Sequence, residues 1–159
     1  MTQKNFFKYN IAINQFGGSL LLKKRKSRRP LSVKLPLHLV LCADVSKIGS
    51  FLRHNITIEK TLQKYAKQFG VRIYHKATVQ NHLHLVLKFN HRLNYQCFIR
   101  AVTGVLAKKL NIRWSVRPFS RIVQWGKDFK SIVKYVVMNE LEAKGAINYQ
   151  PRKKKYIPP

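Results

Sequence analysis

A chain of 159 residues with 45% hydrophobic and 11% aromatic side chains can build one core of ordinary domain size, which excludes a disordered tail. Its 32 Lys and Arg against 5 Asp and Glu leave a formal net charge of +27, so the expected partner is a polyanion, nucleic acid first and an anionic membrane surface second. The five acids (Asp44, Glu59, Asp128, Glu140 and Glu142) also argue against two-metal nuclease chemistry, which needs three or four converging carboxylates.

In chain order, Met1 to Leu22 is weakly patterned, and Lys23 to Arg29 (KKRKSRR) is a basic block that reads equally as a solvated run or as a phosphate-binding arm. Regular structure is expected from His38 (HLVLCAD), a strand of alternating apolar residues. Thr57 is the expected N-cap of a first helix, with Ile58, Leu62, Tyr65, Ala66 and Phe69 at helical spacing and Gly70 closing it. Val71 to Val79 and His82 to Phe89 follow as strands, and the short Gln80–Asn81 link makes them a hairpin. From Asn94 a second helix carries Phe98, Val102, Val105, Leu106 and Leu110, with Lys108 and Lys109 at its C-terminal end. A short strand is expected at Arg121 to Gln124, then a third helix capped by Asp128 and ending near Gly145. Cys42 and Cys97 lack metal-ligand spacing and read as small core residues in a reducing compartment.

The order β-α-β-β-α-β plus one helix predicts an α+β, ferredoxin-like split βαβ fold: a four-stranded antiparallel sheet, two helices on one face, and an additional C-terminal helix bearing Tyr135. The second sheet face is expected to be open. A basic N-terminal arm (1–33), one domain (34–147) and a basic tail (148–159) are expected. No apolar run is long enough to span a bilayer and no secretory signal opens the chain, so a cytoplasmic protein without membrane contact is expected.

Along His82 to Phe89, alternation sends Leu83, Leu85, Leu87 and Phe89 to one face and His82, His84, Val86 and Lys88 to the other. Two imidazoles so placed, roughly 6–7 Å apart at Cα, can converge on one ion or sit as two surface histidines. Asn139 lies four residues after Tyr135, so the two share a helix face. Taken singly, each reads as a core aromatic and a solvated amide; with the histidine pair and so few acids they form a more specific set.

These residues resemble the HUH single-tyrosine transposases of insertion sequences, especially the REP-associated tyrosine transposases of bacteria. Val79 to Val86 (VQNHLHLV) is similar to the family's Pro-Asn-His-Val-His-Leu-Leu signature, and Tyr135 to Gly145 (YVVMNELEAKG) to its Tyr-Ile-x-x-Asn-Pro-x-x-Ala-Gly signature. Phe119 to Val123 (FSRIV) and HLVLCAD fall where the family has matching blocks, so the likeness covers about Lys34 to Gly145. Gln80 and Glu140 each stand where the family has proline, and Glu140 adds a carboxylate that is a further candidate for holding the ion.

The resemblance implies that His82, His84 and Asn139 hold a divalent metal, Mg²⁺ or Mn²⁺, and that Tyr135 is the nucleophile. It implies cleavage of single-stranded or hairpin DNA through a 5′-phosphotyrosine and rejoining, in a bacterial protein at the nucleoid, as monomer or homodimer. Candidate DNA contacts are Lys88, Arg92, Arg113, Arg117, Arg121, Lys130 and Lys134. Lys130 and Lys134 could also help to activate the tyrosine, and Tyr74, Trp114, Phe119 and Trp125 are available for base stacking or for the core. The rival readings are a basic, ribosomal-type nucleic-acid-binding protein with incidental histidines and an HUH replication or conjugation nuclease. A histidine-based nucleotide hydrolase is disfavoured because His-Leu-His-Leu-Val lacks a third histidine.

Overall fold

The computed structural model describes residues 14–21 and 28–149. The basic block up to Ser27 and the tail at Arg152 to Lys155 lie outside these residues. The strands are β1 (Gln15–Phe16), β2 (Leu37–Asp44), β3 (Val71–Thr78), β4 (His82–Phe89), β5 (Arg113–Trp114) and β6 (Phe119–Ile122). The helices are α1 (Asn55–Gln68), α2 (Arg92–Leu110) and α3 (Lys127–Ala143), with short 3-10 turns at Gly18–Leu21 and Phe51–His54.

The sheet runs β1-β6-β2-β4-β3, antiparallel throughout, with β5 beside the C-terminal end of β2. β2, β3, β4 and β6 with α1 and α2 form the expected ferredoxin-like split βαβ arrangement. Two two-residue strands extend it. β1 comes from the weakly patterned N-terminal stretch and pairs with β6 through Gln15 and Phe16.

The α1–α2 face holds the main core. Leu83, Leu85, Leu87 and Phe89 of β4 and Leu37, Leu39 and Leu41 of β2 are all at most 1% exposed, so the apolar row is sealed along its length. Ile58 and Leu62 of α1, and Phe98, Val102 and Leu106 of α2, cover it. The opposite face, expected to be open, is partly covered by α3. Ile132 and Val136 pack with Ala77, Val86 and Val123, so Val86 is buried although it shares a face with the histidines.

Several boundaries differ from expectation for local reasons. Thr57 lies inside α1; the helix starts earlier because Ser50 Oγ accepts from Leu52 N (3.2 Å) and nucleates the 3-10 turn that leads into it. Asp128 is not the cap of α3 but sits in its first turn, where Oδ2 accepts from Gln124 N (3.0 Å). That bond removes Gln124 from the ladder, so the strand falls at Phe119–Ile122 rather than at Arg121 to Gln124. β3 is bulged between Ile73 and His75. Tyr74 is the extra residue, so Ile73 faces the α1–α2 layer while His75 and Ala77 fall opposite Val86 and His84 on the α3 side.

Because Leu85 is fully buried in the main core, Leu85→Ala should lower the unfolding free energy by about 2–5 kcal/mol in a urea titration. The same truncation at exposed Leu93 should stay within about 0.5 kcal/mol.

Candidate active site

The Val79–Asn81 turn is tied at several points, and these ties place β4's first histidine. Val79 N donates to His82 O (2.9 Å) and closes the hairpin. Asn81 O accepts from Ala43 N, and Gln80 O from Phe51 N, so the turn is anchored to β2 and to the 3-10 turn. Ser50 Oγ donates to the same Gln80 carbonyl (3.4 Å). The carbonyl of the residue standing in place of the family's proline therefore helps hold the loop.

His82 Nδ1 lies 2.8 Å from Asn81 Oδ1, which can only accept, so Nδ1 carries the proton and Nε2 the lone pair. Burial pushes the His82 imidazole below its ordinary value, favouring the neutral form that binds metals. His84 is 3% exposed, with its ring centroid 4.8 Å from that of His82 and the planes at 76°.

α3 delivers the other two groups. Its buried stripe is Ile132, Val136 and Asn139, so an amide occupies a place that the helical period would give to an apolar side chain. Asn139 Nδ2 donates to Tyr135 O (2.7 Å), which turns the amide oxygen to the opposite side. The Tyr135 ring stands edge-on to His84 at 5.6 Å, against the histidines of its own chain. His82, Tyr135 and Asn139 line one cavity of ≈ 650 Å³, together with Gln80, Glu142 and Tyr149.

Two imidazole nitrogens and an amide oxygen form a mixed donor set that suits a divalent ion, and the His82 tautomer presents a lone pair. Among the described residues no group of three or more His, Cys, Asp or Glu side chains is placed to hold an ion. Glu140, considered from the sequence as an extra ligand, is engaged by Lys144 Nζ at 2.6 Å. The carboxylate lining the cavity is Glu142, which sequence reasoning passed over.

His38 was missed as well. It is 5% exposed on β2, its Nε2 lies 3.2 Å from His84 Nδ1, and the two rings are stacked at 5.4 Å with 6° between planes. Its ring also meets Tyr135 edge-on at 6.0 Å. Burial, with a smaller contribution from the Arg121 cation, holds the His38 imidazole down at about 4. Alternation in HLVLCAD puts His38 on a face with Val40 and Cys42, but only the register on β4 makes it a neighbour of His84.

The basic candidates scatter. Arg121 is paired with Asp128. Arg92 donates to Arg29 O (2.8 Å) and lines a separate pocket with Arg29 and Arg100. Lys88 is four residues along β4 from His84, roughly 13 Å at strand rise. Arg113 is exposed opposite Asp44, at the end of the sheet where His82 pairs with Cys42. Arg117 on the β5–β6 loop and Lys130 and Lys134 on α3 are exposed. Of the aromatics, Trp114 packs on the main core and donates to Thr103 O, Tyr74 joins the α3 cluster, and Phe119 packs edge-on to His38. Trp125 is 47% exposed, with its indole N–H donating to Lys34 O (3.2 Å).

Comparison with known proteins fixes the family. The family model described as "Transposase IS200 like" matches residues 32–139, most of the chain. The chain belongs to the IS200-like transposase family. The fold of this transposase is similar to that of the REP-associated tyrosine transposase bound to a REP hairpin, with TM-score 0.59 and 14% identity, covering 74% of this chain and 73% of that one. A candidate transposase from Deinococcus radiodurans R1 matches at TM-score 0.46 and 14% identity, over 73% of this chain and 97% of that one. No curated protein matches the transposase by sequence. Among its described residues no helix is long and apolar enough to cross a membrane.

The buried His38 generates a pH prediction for metal-free protein. Its folded value of about 4 lies below the ordinary histidine value of 6.5, so the unfolded chain binds the extra proton first. Stability should be full above pH 6.5 and fall as pH drops toward 4, by at most about 3 kcal/mol from this group. Urea titrations across that range should give a shallower slope for His38→Gln.

Proposed function

We propose that this transposase is a metal-dependent single-strand DNA endonuclease and strand transferase. It cleaves at hairpin-flanked sites through a 5′-phosphotyrosine intermediate and rejoins the strands. The observation that carries the reading is the placement of His82, Tyr135 and Asn139 on one cavity wall, with His84 packed against both His82 and Tyr135. Membership of the IS200-like family supports it. The hairpin bound by the REP-associated tyrosine transposase is the model for the substrate.

In this mechanism His82, His84 and Asn139 are the residues that would hold a divalent ion. When bound, Mg²⁺ or Mn²⁺ supplies Lewis-acid polarisation of a phosphate oxygen. Tyr135 Oη gives up its proton and attacks the scissile phosphorus as the P–O3′ bond breaks, so the proton lost by the tyrosine balances the one gained by the leaving oxygen. The departing oxygen takes up a proton and leaves as a 3′-OH, while the 5′ phosphate stays esterified to Tyr135. A 3′-OH on another strand can reverse the step, restoring Tyr135 and joining the DNA with no external energy source. Asn139's bond to the Tyr135 carbonyl ties ligand and nucleophile to the same helical turn, so the two keep a fixed spacing. Arg113, Arg117, Lys130 and Lys134 are exposed cations for the phosphate backbone, and Trp125 offers a stacking surface.

Labelled single-stranded oligonucleotides carrying a hairpin, incubated with Mg²⁺ or Mn²⁺, should give an SDS-resistant protein–DNA adduct. The adduct should vanish with EDTA and in Tyr135→Phe. An adduct formed by Tyr135→Phe, or none across a panel of hairpins, would sink the assignment. Because Tyr135 meets its own chain's His84, mixing Tyr135→Phe with His84→Ala should not restore cleavage. Restored cleavage would mean that nucleophile and histidines come from different chains.

A further inference from the structure

The geometry points to His38 as a positioning residue: it accepts a hydrogen bond from His84 Nδ1–H and so aims the lone pair of His84 Nε2 at the metal. This inference rests on the reading of His84 as a ligand, and it adds a residue from a strand that the histidine motif does not include.

A 3.2 Å contact between two ring nitrogens contains one proton, so one ring donates and the other accepts. Donation by His38 would put the His84 proton on Nε2 and leave that nitrogen without a lone pair. Donation by His84 leaves Nε2 able to coordinate. His38 meets the requirements of an acceptor. It is buried at 5% exposure, and its Nε2 faces His84 Nδ1 at 3.2 Å, within hydrogen-bond reach.

The surroundings fix the orientation as well as the tautomer. His38 and His84 stack nearly parallel, while Phe119 and Tyr135 both meet the His38 ring edge-on. The ring is thus packed around its plane, and the antiparallel β2–β4 register, which sets Val40 against His84 and His38 against Val86, makes the contact diagonal. His38 Nε2 is directed at the Nδ1 side of His84, away from the nitrogen that would bind the ion. That is the place of a partner that orients a ligand. Such partners often change metal affinity by about 10- to 100-fold.

The test measures Mn²⁺ affinity by electron paramagnetic resonance on DNA-free protein, with the thermal midpoint recorded for each variant. His38→Leu should weaken Mn²⁺ binding about 10- to 100-fold. His38→Gln, whose amide oxygen can still accept from Nδ1–H, should recover most of the loss. Unchanged affinity in a folded His38→Leu protein would overturn the proposal. So would a loss in His38→Gln as large as that in His84→Ala, which would make His38 a ligand itself. In parallel, ¹⁵N-imidazole spectra of the Mg²⁺-loaded wild type should place the His84 proton on Nδ1, with coupling across the bond to His38 Nε2. A proton on His84 Nε2 would refute the idea without any variant. If wild type and His84→Ala bind Mn²⁺ equally poorly, the metal-site reading itself fails, and this proposal fails with it.

Discussion

The two-residue period of β4 ties the core of this transposase to its cavity. Every leucine buried under α1 and α2 determines which neighbours face α3, so Leu83 and Leu85 place His82 and His84 as firmly as any contact to the histidines does. A slip of one residue would expose four large apolar side chains that are now at most 1% accessible and turn both imidazoles into the apolar layer. At about 1.5–3 kcal/mol for each large apolar side chain, that register is strongly enforced. The hairpin turn at Gln80 and Asn81 sets the same register at the end where the site lies.

The second constraint is the cover that α3 lays over the other face. A helix packed on a sheet that carries polar groups must bury some of them. Here Asn139 and His84 are both nearly closed off, at 7% and 3% exposure. Such groups are costly to bury without partners. The Asn139 amide answers with the Tyr135 carbonyl, and His84 with His38, so both bonds also orient the groups that make them. Rigidity of this kind comes from satisfied polar packing more than from covalent restraint. The β3 bulge contributes by carrying the small Ala77 opposite His84 and sending Tyr74 into the apolar cluster under α3.

Charge is organised by scarcity. Among the described residues Glu59 is paired with Lys76, Asp128 with Arg121 and Glu140 with Lys144. Asp44 accepts from Ser46 N at an exposed turn, and Glu142 lines the cavity. Among the described residues Arg113, Arg117, Lys130 and Lys134 are exposed cations, and a chain with 32 Lys and Arg against 5 acids favours a polyanionic partner. Not every cation belongs to that surplus. Arg29 reaches across to Ser120 and Pro118 and stands 4.5 Å from the Phe16 ring centroid, fastening the N-terminal strand to β6.

How far the sequence reached depended on the range of the interaction involved. Periodicity is local, so strand alternation, the helical spacing of α1 and α2, the hairpin and the ferredoxin-like order were all legible in the residues themselves. The spacing of Tyr135 and Asn139 was equally local. Boundaries were less legible where a side chain captured a backbone group: with Asp128 taking Gln124 N, β6 ends at Ile122, and Ser50 rather than Thr57 began the approach to α1. The partners of the site were not legible at all. Nothing within HLVLCAD says that His38 stands beside His84, or that Glu142 rather than Glu140 faces the cavity. Those choices belong to strand register and helix rotation, which are decided only when separate segments pack. The sequence by itself therefore determined the histidine face and the tyrosine-bearing helix. The tertiary structure alone decided that the two meet, because α3 had to bury Ile132 and Val136 on the face that the leucines had left to the histidines.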